Sequence, residues 1–166
     1  MSVDLARYKE AMSTFATGVT VVSGMEDGEP LGFTCQSFLS LSLDPPYVAL
    51  APARSSTSWP RIARTGSFCV NVLGAHQRAL SRRFSISGGD KFEGVRWSPA
   101  PVTGSPLIEG SLAWVDCTVA LVHQAGDHEL IIGAVHDLGV GEGDPLVFFK
   151  ARLTTVSGLS GDGDEE

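Results

Sequence analysis

The sequence predicts a mainly β protein, an antiparallel barrel with short flanking helices. Its 166 residues include 19 glycines and 9 prolines, a composition typical of chains with many turns. Six or more segments have the apolar and β-branched character of strands, and only short helical patterns separate them. No Gly-x-Gly-x-x-Gly motif follows a strand, which argues against a dinucleotide-binding α/β sheet. Consecutive strands without long crossover helices favour antiparallel pairing.

The first predicted element is a short helix close to the N-terminus. Asp4 is placed as its N-cap, and the apolar residues after it recur at helical spacing: Leu5, Tyr8, Met12 and Phe15. Gly18 interrupts this pattern. A strand rich in β-branched residues is then predicted over residues 17–23, and the Glu-Asp-Gly-Glu-Pro sequence at 26–30 predicts a turn.

The next strands are predicted over residues 31–38, 47–50 and 68–73. The Asp-Pro-Pro sequence at 44–46 predicts the turn between the first two of them. All three segments are apolar and short, as expected for strands of a closed or partly closed barrel.

Two short helices are predicted beside these strands. Thr57 or Ser58 is expected to cap the first, which has Pro60 in its first turn and ends at Gly66. The second covers residues 75–84 and has separate apolar and basic faces.

A long loop and three strands complete the predicted domain. Residues 85–107 are loop-like, and loops of this length in compact domains tend to be functional. Strands are predicted over 112–124, 129–138 and 146–153. One face of the longest is expected to carry alternating apolar residues: Ala113, Val115, Cys117, Val119 and Leu121.

Length and charge limit the possible classes of protein. The sequence predicts one domain at residues 1–156 and a disordered acidic tail, rich in Gly, Asp and Glu, at 157–166. The formal net charge is −7 at pH 7, so no basic footprint favours nucleic acid as a partner. A phosphorylated ligand remains compatible with this charge, because one local arginine and backbone amides suffice to bind it.

Cysteine usage and hydropathy exclude further classes. The three cysteines, Cys35, Cys69 and Cys117, have no Cys-x-x-Cys spacing, so neither a disulfide framework nor a metal site is expected. Cys69 and Cys117 lie in strand patterns and are expected to be buried. No apolar run reaches membrane-spanning length, and the N-terminus lacks the apolar segment of a signal peptide. We therefore expect a cytoplasmic protein with no membrane partner.

Two polar segments with small hydroxyl side chains follow apolar strand patterns. They are Thr34-Cys35-Gln36-Ser37 and Arg54-Ser55-Ser56-Thr57-Ser58. Small side chains let a ligand approach the backbone, and hydroxyls, amide N–H groups and a guanidinium beside a helix N-terminus suit a phosphate. The segments thus predict a cradle for a flat, phosphorylated ligand. The alternative is that they form only turns and a helix cap.

Several short motifs occur in an order that resembles one known family. They are Thr-x-x-Ser-Phe at 34–38, Ser-Leu-x-Pro-Pro at 42–46, Ser-Ser-Thr at 55–57, Phe-Ala-Thr-Gly-Val at 15–19, and Gly-Asp-His at 126–128 followed by Gly133. In this order they resemble the flavin reductase-like group of FMN-binding split barrels. That group includes the reductase components of two-component flavin-dependent monooxygenases. The resemblance covers roughly residues 5–153.

The resemblance implies a fold, a reaction and partners. The fold is an FMN-binding split barrel, antiparallel and Greek-key-like. The reaction is hydride transfer from NADH, or as a second choice NADPH, to FMN or FAD. Reduced flavin would diffuse to a separate flavin-dependent monooxygenase, and the reductase would form a homodimer with flavin sites near the subunit interface.

The resemblance also implies flavin-binding residues. Four residues are expected along the polar edge of the flavin ring: Thr34, Cys35, Gln36 and Ser37. Five are expected along the ribityl chain and phosphate: Ala51, Arg54, Ser55, Ser56 and Thr57. Lys91 and Phe92 are expected near the flavin. Cys35 is treated as a backbone contact, because the sequence offers no base to activate its thiol.

The same resemblance implies which residues contact the nicotinamide nucleotide. Asp127 and His128 are expected beside the nicotinamide, with His128 as the catalytic residue and Asp127 orienting the turn or the ring. Ser85, together with Arg82 and Arg83, is placed to reach the adenylate or phosphate portion of a dinucleotide. The arginines have the alternative of forming only an exposed helix face.

Three other functions remain open from the sequence. One is a flavin-binding protein without reductase turnover, such as an electron carrier or flavin store. Another is a pyridoxamine-phosphate-oxidase-like enzyme with the same barrel. The last is a non-enzymatic interaction domain, which would leave the two polar segments without a role. The choice between FAD and FMN is also open.

Overall fold

The computed structural model describes residues 3–156. The predicted acidic tail at 157–166 lies outside the described residues. Three α-helices are present in the described part: α1 (Leu5–Ser13), α2 (Trp59–Thr65) and α3 (Arg78–Ser85), the last preceded by a 3₁₀ turn at Ala75–Gln77. The strands in this part are β1 (Thr17–Gly18), β2 (Thr20–Glu26), β3 (Glu29–Cys35), β4 (Phe38–Leu43), β5 (Pro46–Leu50), β6 (Ser67–Val72), β7 (Trp97–Pro99), β8 (Pro106–Ile108), β9 (Ala113–Ala125), β10 (His128–Val140), β11 (Leu146–Phe149) and β12 (Arg152–Thr155).

Seven strands form one antiparallel sheet in the order β3-β2-β6-β9-β10-β5-β4. Its two edge strands, β3 and β4, follow each other in the chain, and only Gln36 and Ser37 separate them. Since the link from Cys35 to Phe38 spans at most about 11 Å, the two edges must lie close together. The sheet therefore curls into a barrel that is split between β3 and β4, and the predicted mainly β, antiparallel fold is confirmed.

Two predicted strands are each divided in the structure. The predicted strand at 31–38 is wrong beyond Cys35, because the chain leaves the sheet at Gln36 and Ser37 and begins β4. The alternating Phe-Leu-Ser-Leu-Ser-Leu sequence of β4 is a strand signal that the prediction missed. The predicted strand at 146–153 is also wrong in its centre. Lys150 and Ala151, at φ 46° and 59°, form a two-residue turn between β11 and β12.

One predicted face of the longest strand is only partly correct. β9 pairs Val119 with Gly133 and Leu121 with Ile132, so Ala120 is an extra residue without a partner on β10. Such a bulge moves the following side chains to the opposite face of the sheet. Leu121, predicted to be on the same face as the fully buried Cys117, is therefore 54% exposed.

Buried apolar side chains form a core inside the barrel and a second cluster outside it. The barrel core contains Val22, Leu31, Cys35, Val48, Leu50, Trp59, Ile62, Phe68, Val70, Cys117 and Ile131. Full burial of a side chain such as Ile62 or Phe68 stabilises the fold by about 1.5–3 kcal/mol. Gly133 is required beside Phe68, since a Cβ there would lie 2.5 Å from the ring. Cys69 and Cys117 are fully buried, as predicted.

A buried asparagine fastens β8 to the barrel. The Asn71 amide donates to Ser23 Oγ at 3.0 Å and to the Pro106 carbonyl at 3.2 Å, and its oxygen accepts from the Ile108 N–H at 2.8 Å. The Ser23 hydroxyl also donates to the Pro106 carbonyl, at 2.6 Å. These bonds satisfy buried polar groups that would otherwise cost about 1–3 kcal/mol each.

A buried carboxylate fastens the turn between β7 and β8. The Asp116 side chain is fully buried, and its Oδ2 accepts from the N–H groups of Val102 and Thr103 at 3.0 and 3.1 Å. Its Oδ1 accepts from the Thr103 hydroxyl. The predicted long loop thus contains a two-stranded ribbon, β7 and β8, that two buried side chains hold against the sheet.

Helix α1 has the predicted cap but lies on the surface. Asp4 Oδ1 accepts from the N–H of Ala6 at 2.7 Å and of Arg7 at 3.3 Å. The apolar residues of the predicted stripe are 53–75% exposed: Leu5, Tyr8, Met12 and Phe15. This stripe therefore does not pack on the barrel within the described chain.

Candidate functional site

The two polar segments lie side by side and form the wall of a cavity of about 480 Å³, here called the central cavity. β3 and β5 end at this cavity, and α2 begins there. Eleven of the residues selected from the sequence line it: Thr34, Cys35, Gln36, Ser37, Ala51, Ser55, Ser56, Thr57, Ser85, Lys91 and His128. The volume lies in the range of small-molecule sites.

Three of the selected residues lie outside the lining of the central cavity. Arg54 is exposed, and its main-chain N–H donates to the Asp127 carbonyl at 2.9 Å. Phe92 is buried between Phe84 and Trp97, at ring-centroid distances of 4.9 and 6.3 Å. Asp127 lies in the turn that carries the histidine.

Ser37 holds the first polar segment against the residue that follows β5. Its hydroxyl donates to the Ala51 carbonyl at 2.9 Å and accepts from the Ala51 N–H at 3.1 Å. The Cys35 thiol lies 3.3 Å from this hydroxyl, and burial raises the pKa of the thiol. A neutral thiol is a poor nucleophile, which leaves Cys35 a packing role in the wall. The Thr34 hydroxyl donates to the Ser81 carbonyl at 2.6 Å and so fixes α3 beside β3.

The hydroxyls ahead of α2 have different roles. Ser56 Oγ accepts from the Trp59 N–H at 3.1 Å and caps the helix. Ser58 occupies the N-cap position, one of the two predicted alternatives, but its side chain makes no cap hydrogen bond. In the part of the chain that the structure describes, the hydroxyls of Ser55 and Thr57 make no hydrogen bond to another residue. They remain available to a ligand.

Lys91 is the one lysine or arginine that lines the central cavity within residues 3–156. Its Nζ donates to the carbonyls of Gly32 at 3.2 Å and Phe84 at 3.4 Å, and lies 3.5 Å from Ser58 Oγ. Partial burial lowers the pKa of the Lys91 ammonium. The sequence reasoning favoured the guanidinium of Arg54 for the phosphate end, whereas the structure brings an ammonium to the wall.

The long hairpin of β9 and β10 carries His128 to the central cavity. Gly126, at φ 64°, is the first residue of the two-residue turn that ends at His128. The loop after β5 pairs with the hairpin, because the Glu129 N–H donates to the Pro52 carbonyl at 3.0 Å and Ala53 forms a bridge with His128. The histidine is thereby fixed beside the second polar segment.

Asp127 and His128 form a hydrogen-bonded pair. Their Oδ1 and Nδ1 atoms lie 2.7 Å apart, and the hydrogen bond to His128 lowers the pKa of the Asp127 carboxyl. An ionised carboxylate can only accept, so Nδ1 carries a proton and Nε2 is the ring nitrogen left to a ligand. The His128 side chain is 44% exposed, which leaves the ring accessible to a ligand.

The cavity wall also contains residues that sequence reasoning did not select, among them Phe33, Pro52, Ala53, Phe84, Ile86 and Ser87. Ile86 is the most informative, because its side chain is 65% exposed directly after α3. An exposed isoleucine on a cavity wall offers an apolar surface to a flat ring. The signal for it was an isolated apolar residue between Ser85 and Ser87.

Two further histidines lie outside the central cavity. His123 and His136 are exposed on β9 and β10, and His136 Nε2 lies 2.8 Å from Thr118 Oγ1. Within residues 3–156 the His, Cys, Asp and Glu side chains form no group of three or more that could hold a metal ion. No helix in that range combines the length and the apolar character needed to cross a membrane.

The chain is similar to characterised proteins over nearly its whole length. The family model described as flavin reductase like domain matches residues 12–157. HsaB of Rhodococcus jostii, a flavin-dependent monooxygenase reductase subunit, is 42% identical over 156 residues, which cover 93% of this chain and 80% of that protein.

Solved structures show the same similarity. Nitrilotriacetate monooxygenase component B from Mycobacterium thermoresistibile superposes with a TM-score of 0.91 at 40% identity, over 97% of this chain and 91% of that one. The Streptomyces globisporus NADH:FAD oxidoreductase SgcE6, solved in complex with NAD and FAD fragments, superposes with a TM-score of 0.89 at 30% identity, over 95% and 96% of the two chains.

Proposed function

The chain belongs to the flavin reductase-like domain family, and from this premise we propose that it is an NAD(P)H:flavin oxidoreductase. It transfers hydride from NADH to FMN or FAD and supplies reduced flavin to a separate flavin-dependent monooxygenase. HsaB is a reductase subunit of such a system, and SgcE6 is an NADH:FAD oxidoreductase. The observation that carries the proposal is the central cavity, where free hydroxyls, one ammonium and one accessible histidine converge.

The residues of the central cavity fit a flavin nucleotide. A flavin requires polar backbone groups along one ring edge, an apolar surface for the ring face, and a cation with hydroxyl donors at the phosphate. Ser55 and Thr57 offer hydroxyls without protein partners, Lys91 offers the cation, and Ile86 offers apolar surface. When bound, the flavin accepts two electrons as hydride, and the protein supplies orientation and electrostatics.

The two polar segments are assigned to different parts of the flavin nucleotide. We assign the ribityl phosphate to Ser55 and Thr57, whose hydroxyls can donate to it, and to Lys91, whose positive charge attracts it. The hydroxyl of Ser37 is already bonded to Ala51, so this part of the wall offers mainly main-chain groups to the ring edge. Small side chains there permit that close approach.

His128 is assigned to the nicotinamide. Because its Nδ1 faces Asp127, His128 has Nε2 available for a hydrogen bond with the carboxamide of the nicotinamide. Asp127 is a positioning residue, because it fixes the tautomer and the orientation of the ring. Placing the donor correctly against the acceptor is the main catalytic task for a reaction that needs no acid or base from the protein.

NADH is proposed as the preferred donor, since SgcE6 uses it by name. The cytoplasm is proposed as the compartment, because reduced nicotinamide is supplied there and the three cysteines are free thiols. Neither choice affects the assignment of the cavity.

A homodimer is proposed from the exposed apolar surface of β4. Leu39, Leu41 and Leu43 are 51%, 48% and 89% exposed on this edge strand of the sheet. An apolar edge strand left uncovered favours association with another chain. Light scattering should give the mass of a dimer, and the mass of a monomer would contradict this part of the proposal.

NADH consumption in the presence of FMN or FAD tests the proposed function. We expect flavin-dependent consumption by the purified protein. His128→Ala should lower kcat about 10- to 100-fold through misplaced nicotinamide, with little change in flavin affinity. His123→Ala is the matched control, a histidine on the same hairpin outside the cavity, and should leave kcat unchanged.

Other results would favour the alternatives. Tight flavin binding without NADH consumption would favour an electron carrier or flavin store. Oxidation of an aminated pyridoxine phosphate would favour a pyridoxamine-phosphate-oxidase-like enzyme. Unchanged NADH kinetics in His128→Ala would remove His128 from the mechanism.

A further inference from the structure

Glu129 links the hairpin that carries His128 to the segment between β5 and α2. One carboxylate oxygen, Oε2, accepts from the indole N–H of Trp59 at 3.0 Å. The other, Oε1, accepts from the side chain of Gln124 on the neighbouring strand β9 at 2.8 Å. The main-chain N–H of Glu129 also donates to the Pro52 carbonyl at 3.0 Å. One residue thus fastens the turn end of β10 to both ends of that segment.

Trp59 is a rigid anchor for this link. Its side chain is 1% exposed, and its ring packs edge to face against Phe33 and Phe68 at centroid distances of 6.2 and 6.1 Å. Its main-chain N–H donates to Ser56 Oγ at 3.1 Å, so the same residue also holds the second polar segment. A buried indole N–H needs an acceptor, and an ionised carboxylate is a stronger acceptor than a neutral oxygen. The barrel core therefore determines the position of the Glu129 side chain.

The end of the hairpin that carries His128 has little buried surface to hold it. Residues 120–127 are all exposed, so this end of the β9–β10 ribbon projects from the barrel. Segments with few buried contacts open and move easily. Hydride transfer is sensitive to such motion, because a misplacement of about 1 Å can lower a rate about 100-fold. A hydrogen bond from the ribbon to a fully buried side chain would fix the histidine.

Glu129 itself lies outside the lining of the central cavity, although it directly follows the histidine that lines it. Successive side chains of a strand point to opposite faces of the sheet. Hydrogen bonds from Gln124 and then Trp59 lower the pKa of the Glu129 carboxyl, so it is ionised at neutral pH. Its charge is partly exposed to solvent and therefore screened. An effect on a ligand is thus expected through the position of the histidine.

We propose that Glu129 is a positioning residue for hydride transfer, and that its bond to Trp59 sets the place of His128 relative to the second polar segment. This inference rests on the proposed function, in which that segment binds the flavin phosphate and His128 contacts the nicotinamide. One connected set of hydrogen bonds then holds both partners of the reaction. Sequence reasoning missed Glu129, because its tryptophan partner lies 70 residues away in the chain.

Single-turnover reduction of bound FMN by NADH in Glu129 variants tests the inference. In Glu129→Ala we expect the rate of flavin reduction to fall about tenfold through a misplaced histidine, with little change in the Kd for FMN. Glu129→Gln keeps an oxygen that accepts from the indole N–H but has no charge, and should retain most of the rate. Asp137→Ala is the matched control, a carboxylate further along β10 that accepts from the Leu138 N–H, and should leave the rate unchanged.

A double-mutant cycle separates positioning from folding. If Glu129 acts through His128, the combined variant Glu129→Ala/His128→Ala should reduce flavin as slowly as His128→Ala alone, because the group that Glu129 positions is already absent. Two rate losses that multiply would overturn the inference. A lowered thermal unfolding midpoint with a wild-type rate in Glu129→Ala would also overturn it, because Glu129 would then serve stability alone.

Two further variants complete the test. A rate in Glu129→Gln as low as in Glu129→Ala would overturn the inference, since charge and not the bond to Trp59 would then matter. Trp59→Phe removes the same bond from the other side and carries the test if Glu129→Ala does not fold. It should also slow flavin reduction, and a wild-type rate would overturn the inference. An inactive wild type, or a His128→Ala variant as fast as wild type, would instead overturn the proposed function.

Discussion

The network beneath the β7–β8 ribbon and the wall of the central cavity use similar polar side chains in opposite ways. In the network, Asn71 and Asp116 are fully buried, and both side-chain oxygens of Asp116 are bonded. In the cavity wall, the hydroxyls of Ser55 and Thr57 have no partner within residues 3–156. Buried polar groups that bond internally stabilise the fold, whereas groups left open at a cavity can bind a ligand without breaking an existing bond.

The largest effect on stability is expected from Asp116→Ala. This change removes the carboxylate that accepts from the N–H groups of Val102 and Thr103 and from the Thr103 hydroxyl, and hydrogen bonds to a charged group contribute about 1.5–3 kcal/mol each. We expect the free energy of unfolding to fall by about 3 kcal/mol in a denaturant titration. Flavin affinity of the folded protein should not change, because Asp116 lies outside the cavity lining. A loss of flavin affinity at unchanged stability would contradict the assignment of Asp116 to stability alone.

The next largest effect is expected on ligand binding, from Ser55→Ala combined with Thr57→Val. Both hydroxyls lack protein partners, so the free energy of unfolding should stay constant. Loss of two donors to a phosphate should raise the Kd for FMN about tenfold or more in a fluorescence titration. Riboflavin, which has no phosphate, is the control ligand and should bind the variant as it binds wild type. Equal weakening of both ligands would remove these hydroxyls from the phosphate.

Ser56→Ala is expected to have a smaller effect, on stability alone. Its hydroxyl accepts from the Trp59 N–H and caps α2, and loss of such a cap costs about 1 kcal/mol. Thermal or denaturant unfolding measures this loss, and the Kd for FMN should change little. Adjacent serines would then have separable roles. A variant with wild-type stability and weakened FMN binding would reverse the assignment.

The smallest effect is expected from Arg64→Ala on the surface. Arg64 is 64% exposed and contacts Glu26, whose carboxyl also accepts from Arg61. Such ion pairs contribute little in water and are screened by salt. The free energy of unfolding should therefore change less than in Ser56→Ala.

The same cluster predicts a direction for the pH dependence. Hydrogen bonds from Arg61 and then Arg64 hold the pKa of Glu26 below its usual value. Because the folded-state pKa lies below the unfolded-state pKa, this contribution is present at neutral pH and is lost as the pH falls through both. The free energies of unfolding of Arg64→Ala and wild type should therefore approach each other at acidic pH. A difference that grows on acidification would contradict this sign.

The sequence predicted most of the central cavity because its walls are local segments. Residues 34–37 and 51–57 each follow a strand, and their small side chains are visible as short motifs. The roles within the second segment were not predictable, since Ser58 occupies the N-cap position while Ser56 makes the side-chain bond, and no local pattern distinguishes these serines. The position of Lys91 depends on a loop packed through Phe92 onto Phe84, which no local pattern specifies.

The class of the fold was predictable from the sequence. The errors in the predicted strands have physical causes. The strand β4 was missed because the predicted strand at 31–38 was extended through Gln36 and Ser37, where the chain leaves the sheet, although the alternating leucines and serines after Phe38 are a strand pattern. The exposure of Leu121 follows from the extra residue Ala120, and a bulge has no signal in alternation alone. A cavity beside the central one brings Arg152 of β12 to Arg78 and Arg82 of α3 through tertiary packing, so only its helical half was visible in sequence.

An anaerobic single turnover tests the central claim most directly. Protein loaded with one equivalent of FMN or FAD is mixed with one equivalent of NADH, and the absorbance of oxidised flavin is followed. The account predicts that the flavin binds and is bleached in wild type, and that His128→Ala binds the flavin equally well but bleaches it more slowly. A protein that binds no flavin, or whose bound flavin stays oxidised with NADH present, would contradict the account.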